Sequence, residues 1–129
     1  MKILNARDAY LTNAEVYLHL KDMEEEQNQR TRERGAAGGL VSENLRTIQF
    51  EILKYMSTQT NCSQMDEEKF LACLKVLDEY ELTKAEKLVI LNNRPSSIPE
   101  IYACIEGIEE RLQEEQMEAL IEKINSVYP

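Results

Sequence analysis

The chain has few of the residues that form tight turns, aromatic platforms or metal sites. Its 129 residues include four glycines, three prolines, one histidine and no tryptophan. An all-β domain needs many tight turns, so the scarcity of glycine and proline favours helices. Proteins that bind single-stranded nucleic acid combine basic grooves with aromatic platforms. The chain has only two phenylalanines and a net charge of −9, so autonomous nucleic-acid binding is not favoured.

No set of catalytic or metal-binding residues is apparent. The three cysteines, Cys62, Cys73 and Cys104, have no CxxC spacing, and His19 has no cysteine near it. GxSxG, GxxxxGK[ST] and HExxH patterns are absent. We therefore predict no catalytic residue, no cofactor and no metal ion, and we interpret Cys73 as a core residue.

The compartment is predicted from what the sequence does not contain. An odd number of cysteines without a secretion signal fits a reducing compartment. No apolar run approaches the ~20 residues that a membrane-spanning helix needs. We therefore expect a soluble intracellular protein.

Acidic residues are concentrated in the last part of the chain. Residues 100–129 contain eight glutamates against Arg111 and Lys123, which gives a charge of −6. This segment is either a solvated helix face or a docking surface for a basic partner. The sequence leaves both interpretations open.

An amphipathic helix is predicted near the start. Thr12 and Glu15 have the spacing of an N-terminal capping box. The apolar residues that follow share one helix face: Val16, Tyr17, Leu20 and Met23. Three glycines within residues 35–39 predict a flexible hinge around residues 35–41. We predict an N-terminal segment of residues 1–60 that contains this hinge, followed by a helical domain of residues 61–129.

Further helices are predicted after the hinge. Ser42 is a candidate cap for a helix with one apolar stripe: Leu45, Ile48, Ile52, Leu53 and Met56. Acidic residues at Asp66–Glu68 favour a helix start. Two more capping boxes begin at Thr83 and Ser97, and the last helix begins near Glu114. The sequence thus predicts an all-α bundle of about five helices with a separate N-terminal helix.

Two local features refine this prediction. Residues 88–91 are four consecutive apolar residues, so we expect their helix to be buried on all sides at the centre of the bundle. That helix must end near Asn93, because Arg94 precedes Pro95. Gly107 indicates either a helix end or a bend.

The N-terminal helix has apolar surface that must be buried somewhere. A single helix is marginally stable alone. The stripe that includes Val16 and Leu20, with Ile3 and Leu4 before it, either packs back on the bundle or binds a second polypeptide. Spacing alone does not separate these two hypotheses.

Seven stretches, in this order and spacing, resemble the polymerase III branch of the RNA polymerase stalk-subunit family, also called the calcitonin-gene-related-peptide-receptor component family. The resemblance extends over nearly the whole chain except about residues 24–41, and the stretches that carry it are 11–16, 44–48, 53–57, 82–88, 91–95, 109–112 and 114–120. The most specific are LTKAEKL at 82–88 and LNNRP at 91–95.

The resemblance implies an HRDC-like helical bundle and a non-catalytic role in the nucleus. It implies a heterodimer with a larger stalk subunit that has a tip domain and an OB-fold domain. That pair would join the polymerase III core and assist transcription initiation through contacts with initiation factors. The OB fold of the partner, rather than this chain, would make most of the RNA contacts.

The resemblance also favours partner binding by the N-terminal stripe. We predict a partner-binding set on this basis: Ile3, Leu4, Val16, Tyr17, Leu20, Leu45 and Ile48. Two other hypotheses remain, an HRDC-type nucleic-acid-binding module and a receptor-coupling adaptor outside transcription.

Overall fold

The described part of the chain is entirely helical. A computed structural model describes residues 2–35, 42–59 and 61–128. Its six α-helices are α1 (Asn13–Arg34), α2 (Glu43–Gln59), α3 (Glu67–Asp78), α4 (Lys84–Asn93), α5 (Ile98–Cys104) and α6 (Glu114–Val127). Short 3-10 helices lie at Asn61–Gln64 and Ile108–Glu110. The all-α prediction is confirmed.

Two of the predicted capping boxes are formed as the sequence indicates. The Thr12 backbone N–H donates to the Glu15 carboxylate at 2.7 Å, and the Thr12 hydroxyl oxygen accepts from the Glu15 N–H at 3.2 Å. Thr83 and Glu86 make the same pair of bonds at 2.8 and 3.3 Å. These bonds satisfy N–H groups that have no partner within the first helical turn.

The third predicted capping box is wrong. The Ser97 hydroxyl makes no capping bond at the start of α5. The Glu100 carboxylate instead accepts from the Ser96 N–H at 2.6 Å and the Ser96 hydroxyl at 3.1 Å. These bonds, to the residue before Ser97, hold the pKa of Glu100 below its ordinary value.

The hydrophobic core is built by α3 to α6 and the turns that join them. Residues with at most 2% of their surface exposed come from all four helices and the turns between them: Cys73, Leu77, Ile90, Pro95, Ile101, Ile105, Ile108, Met117, Leu120 and Ile124. In α6 the buried positions recur at three- and four-residue spacing, as an amphipathic helix requires. Cys73 is a core residue, as predicted.

The prediction that α4 is buried on all sides is wrong. Ile90 and Leu91 are buried, whereas Leu88 and Val89 are only half-buried. The reason is that α4 packs against α3 and α5 from one side and leaves Leu88 facing a surface groove. The predicted end of α4 at Asn93 is confirmed.

The LNNRP stretch joins three helices. The Asn92 side-chain oxygen accepts from the Asn13 N–H at 2.8 Å, which holds the start of α1 against the end of α4. Arg94 has a left-handed backbone with φ of 46°, and its guanidinium lies 5.3 Å from the ring centroid of buried Tyr128, after α6. Burial is the largest cause that raises the Tyr128 pKa to about 12.

Gly107 marks a helix end rather than a bend. Helix α5 already ends at Cys104, and Gly107 has a φ of 66° in the turn before the 3-10 helix. A left-handed backbone favours glycine, because a Cβ is strained there. Of the two alternatives that the sequence left open, a helix end and a bend within a helix, the structure has the helix end before Gly107.

An ion pair joins the start of α4 to the turn before α6. The Arg111 Nη2 donates to Glu86 Oε1 at 2.6 Å, and Nη1 donates to Glu86 Oε2 at 2.9 Å. Nη1 also lies 3.3 Å from the Glu81 carbonyl oxygen. The Arg111 guanidinium is the main reason that the Glu86 pKa falls to about 2.

Helix α2 packs along α1 and supplies no residue to the buried apolar core. Ala14 of α1 does join that core. Residues 36–41, on which the predicted hinge falls, lie outside the described residues. The division of the chain near residue 60 stays a prediction.

We expect Glu86→Gln to lower the free energy of unfolding by about 1–3 kcal/mol near neutral pH, because the Arg111 guanidinium loses its carboxylate partner. Urea denaturation monitored by circular dichroism measures the change. Glu118→Gln, at an exposed position on α6, is the matched control and should change it by less than about 0.5 kcal/mol.

The pH dependence follows from the depressed pKa. The folded pKa of about 2 lies below the ordinary 4.5, so the Glu86 carboxylate stabilises the fold fully above about pH 4.5. This contribution is lost as the pH falls through the folded pKa. The stability difference between wild type and Glu86→Gln should therefore shrink below pH 4.5. A difference that stays constant down to about pH 3 would count against this assignment.

Candidate partner-binding surface

Exposed apolar residues are concentrated in the N-terminal half. Eight of the ten large apolar residues that are exposed in the described chain precede residue 60: Ile3, Leu4, Tyr10, Leu11, Leu45, Ile48, Phe50 and Tyr55. The other two are Leu71 and Tyr102. Exposed apolar side chains that lie together on one surface are typical of a binding site for a protein or another apolar partner.

The same residues lack the features of a metal site and of a membrane-spanning helix. Across 2–35, 42–59 and 61–128, no three His, Cys, Asp or Glu side chains are grouped so that they could hold a metal ion. In those ranges no helix is both long and apolar enough to span a bilayer. Burial raises the pKa of the Cys73 thiol, the most enclosed of the three.

The first predicted partner-binding residues lie in solvent. Ile3 is 71% exposed and Leu4 is 89% exposed. The segment that follows is held in a turn, where the Asn5 side-chain oxygen accepts from the Arg7 N–H at 3.1 Å. Asn5 also donates to the Asp8 carboxylate at 3.3 Å. Ile3 and Leu4 are therefore adjacent to each other and uncovered.

The α1 residues of the predicted set are partly covered by the chain itself. Tyr17 is buried, while Val16 and Leu20 are half-buried. Tyr17 lines a cleft between α1 and α2, and the Lys21 ammonium lies 5.8 Å from its ring centroid. Packing against α2 thus accounts for part of the stripe, and partner binding is not needed to bury Tyr17.

The stripe predicted on α2 is divided between two environments. Leu53 and Met56 are half-buried, whereas Leu45 and Ile48 are 44% and 53% exposed. Tyr55, which sequence reasoning missed, is exposed seven residues after Ile48 and lies on the same helix face. The seven-residue spacing from Ile48 could have identified Tyr55 from the sequence.

The exposed apolar face of α2 is accordingly defined by Leu45, Ile48 and Tyr55. Phe50 is also exposed, but it lies on another face of α2. Phe50 does not share the helical spacing of the predicted stripe, so nothing in the sequence indicated that it would belong to an exposed apolar surface. The structure therefore separates the predicted set into an N-terminal pair, a partly covered group on α1 and an exposed group on α2.

A separate cleft lies between α1 and α2. It consists of two cavities of about 310 and 340 Å³ that share Glu24 and Phe50 in their linings. Basic side chains on its lining are Lys21, Arg46 and Lys54. We call this region the basic cleft, because three cations and one carboxylate line it on a chain whose net charge is −9.

The acidic end of the chain presents its glutamates to solvent. Six exposed acidic residues lie between the start of the second 3-10 helix and the end of α6: Glu109, Glu110, Glu114, Glu115, Glu118 and Glu122. The two basic residues of residues 100–129 do not neutralise them. Arg111 pairs with Glu86 and Lys123 pairs with Glu79, both outside that segment. Both interpretations of the acidic segment stay open.

The comparisons with known proteins agree on one family. The family model described as RNA polymerase Rpb4 matches residues 10–128. The DNA-directed RNA polymerase III subunit rpc9 of Schizosaccharomyces pombe is 68% identical over 129 residues, which cover all of both chains. The RNA polymerase III subunit RPC9 of Saccharomyces cerevisiae is 25% identical, over 97% of this chain and 98% of that protein.

We expect the double substitution Leu45→Ser, Ile48→Ser to change the free energy of unfolding of the isolated chain by less than about 1 kcal/mol, because 44% of Leu45 and 53% of Ile48 are already exposed. Tyr17→Ser should cost about 3 kcal/mol or more, since it empties a buried site. Thermal unfolding of the three proteins compares them. Equal destabilisation by both changes would mean that Leu45 and Ile48 are buried in the free chain.

Proposed function

The chain belongs to the RNA polymerase Rpb4 family, and we propose that it is a subunit of the RNA polymerase III stalk. The observation that supports this most directly is the 68% identity, over its full length, to an RNA polymerase III subunit. The proposed place of work is the nucleus, where that polymerase transcribes.

We further propose that the chain forms a heterodimer with the larger, OB-fold stalk subunit. The uncovered apolar residues of the N-terminal half support this part of the proposal. Ile3 and Leu4, together with Leu45 and Ile48 of α2, leave apolar area in water that a protein partner would bury. Burial of apolar area stabilises an interface by about 25 cal/mol per Å² before the costs of association are subtracted.

Val16, Tyr17 and Leu20 have a different role within this proposal. Because they are partly or fully covered by the chain itself, they position α2 and add only the edge of α1 to the interface. The partner contacts would then come mainly from the residues before α1 and from α2.

Among the described residues of the helical domain, the exposed large apolar side chains are Leu71 on α3 and Tyr102 on α5. Its core residues are packed against each other, and its acidic segment faces solvent. We propose that this half contacts initiation factors or the polymerase core through basic surfaces on those partners. In this role the chain assists initiation by assembly and performs no catalysis.

Co-expression with the larger stalk subunit tests the heterodimer. We expect a one-to-one complex by size-exclusion chromatography with light scattering, and we expect Leu45→Asp with Ile48→Asp to abolish it. Leu71→Asp is a matched control, because Leu71 on α3 is 50% exposed against 53% for Ile48. It should leave the complex intact.

Two results would reject parts of the proposal. If the wild-type chain remains a folded monomer beside the larger subunit, the heterodimer is wrong. If Leu71→Asp and the α2 double variant weaken binding equally, the interface is not where we place it.

A further inference from the structure

The basic cleft contains a hydrogen-bond donor without a partner. Gln49 of α2 is 5% exposed, and its side-chain Nε2 is fully enclosed with no acceptor within hydrogen-bond distance. Gln49 lines the larger cavity of the cleft with Arg46 and with Asn28 from α1. A buried N–H group without an acceptor destabilises a fold, so an acceptor supplied by a bound partner would stabilise this site.

The charge of the cleft indicates which acceptor fits. Arg46 and Gln49 are three residues apart and therefore point to the same side of α2. Lys21 and Lys54 line the adjoining cavity, and Glu24 lines both. Three positive charges minus one negative charge give +2, and no carboxylate of the described chain lies within ion-pair distance of Arg46. Such a donor set suits a carboxylate.

The cleft lies beside the α1 part of the predicted partner-binding set, because Tyr17 of that set lines it. The apolar residues at its edge favour a protein over a phosphate backbone, and the net charge of −9 repels a polyanion. The occupant should therefore be a protein segment with an acidic side chain between apolar ones.

We propose that the basic cleft between α1 and α2 receives a carboxylate side chain of the larger stalk subunit. Arg46 and the Nε2 of Gln49 bind that carboxylate, and Lys21 and Lys54 attract the acidic segment that carries it. This inference rests on the proposed heterodimer. It adds a polar anchor that fixes the register of an otherwise apolar interface.

Gln49→Leu separates this role from a purely structural one. In the free chain the substitution removes an unpartnered buried donor, so we expect the thermal midpoint to rise by about 2–4 °C. In the complex it removes a charge-assisted hydrogen bond, so we expect the dissociation constant to rise about tenfold. A residue that serves only the α1–α2 packing would change stability and leave the affinity unaltered.

Arg46→Gln tests the charge. We expect it to raise the dissociation constant of the pair about tenfold at low salt and to weaken its dependence on sodium chloride between 50 and 500 mM. Arg32→Gln, at an exposed position near the end of α1 and outside the cleft, should bind like wild type. Isothermal titration calorimetry with the purified larger subunit measures both.

Three other outcomes would each overturn the proposal that the basic cleft binds a carboxylate. If the wild-type pair forms and Gln49→Leu and Arg46→Gln bind as tightly as wild type, the cleft is not occupied by a carboxylate, while the heterodimer stands. If a 12-nucleotide single-stranded RNA binds the free chain and Arg46→Gln abolishes it, the cleft is a nucleic-acid site and the inference is overturned. If no pair forms, both the heterodimer and this occupant are wrong.

Discussion

The bidentate bond between Arg111 and Glu86 fixes how the helical domain is assembled. Glu86 already accepts the N–H of Thr83 in the capping box that starts α4. The same carboxylate also binds Arg111, three residues before α6, so one side chain both caps α4 and joins it to the turn that leads into α6. Because α6 packs against both α3 and α5, a shift of Arg111 would displace the helix around which the others pack.

This arrangement makes the two halves of the chain unequal. Helices α3 to α6 bury their apolar residues against each other and need no other surface to complete a core. Helix α2 supplies no residue to that core and has three large apolar side chains exposed on one face, Leu45, Ile48 and Tyr55. Exposed apolar side chains that share one helix face are typical of a surface that binds a partner.

Much of the fold could be predicted from local sequence, because local bonds determine it. The boxes at Thr12 and Thr83 use contacts three residues apart, and they formed as predicted. The box at Ser97 did not, because Ser96 offered two donors to the same carboxylate, and spacing does not rank competing partners. The position of α4 at the side of the bundle also depended on long-range packing, which four apolar residues in a row do not specify.

The candidate surface was less predictable for the same reason. Leu45, Ile48, Leu53 and Met56 satisfy one helical pattern, yet only the direction from which α1 approaches decides which of them remain exposed. The basic cleft was not predicted at all. Its cations come from two helices separated by residues 35–41, so no window of sequence contains them together.

The distribution of charge connects these observations. In the helical domain the cations Arg111 and Lys123 are bound to glutamates of other elements, and the remaining acidic residues of α6 are left uncompensated. In the α1–α2 cleft the cations outnumber the carboxylates, since three basic residues and only Glu24 line it. One chain therefore has surfaces of opposite sign at its two halves, and like charges in two partners disfavour exchange between the surfaces. In the assembly that we propose, an acidic segment of one partner would bind the cleft and a basic surface of another would bind α6.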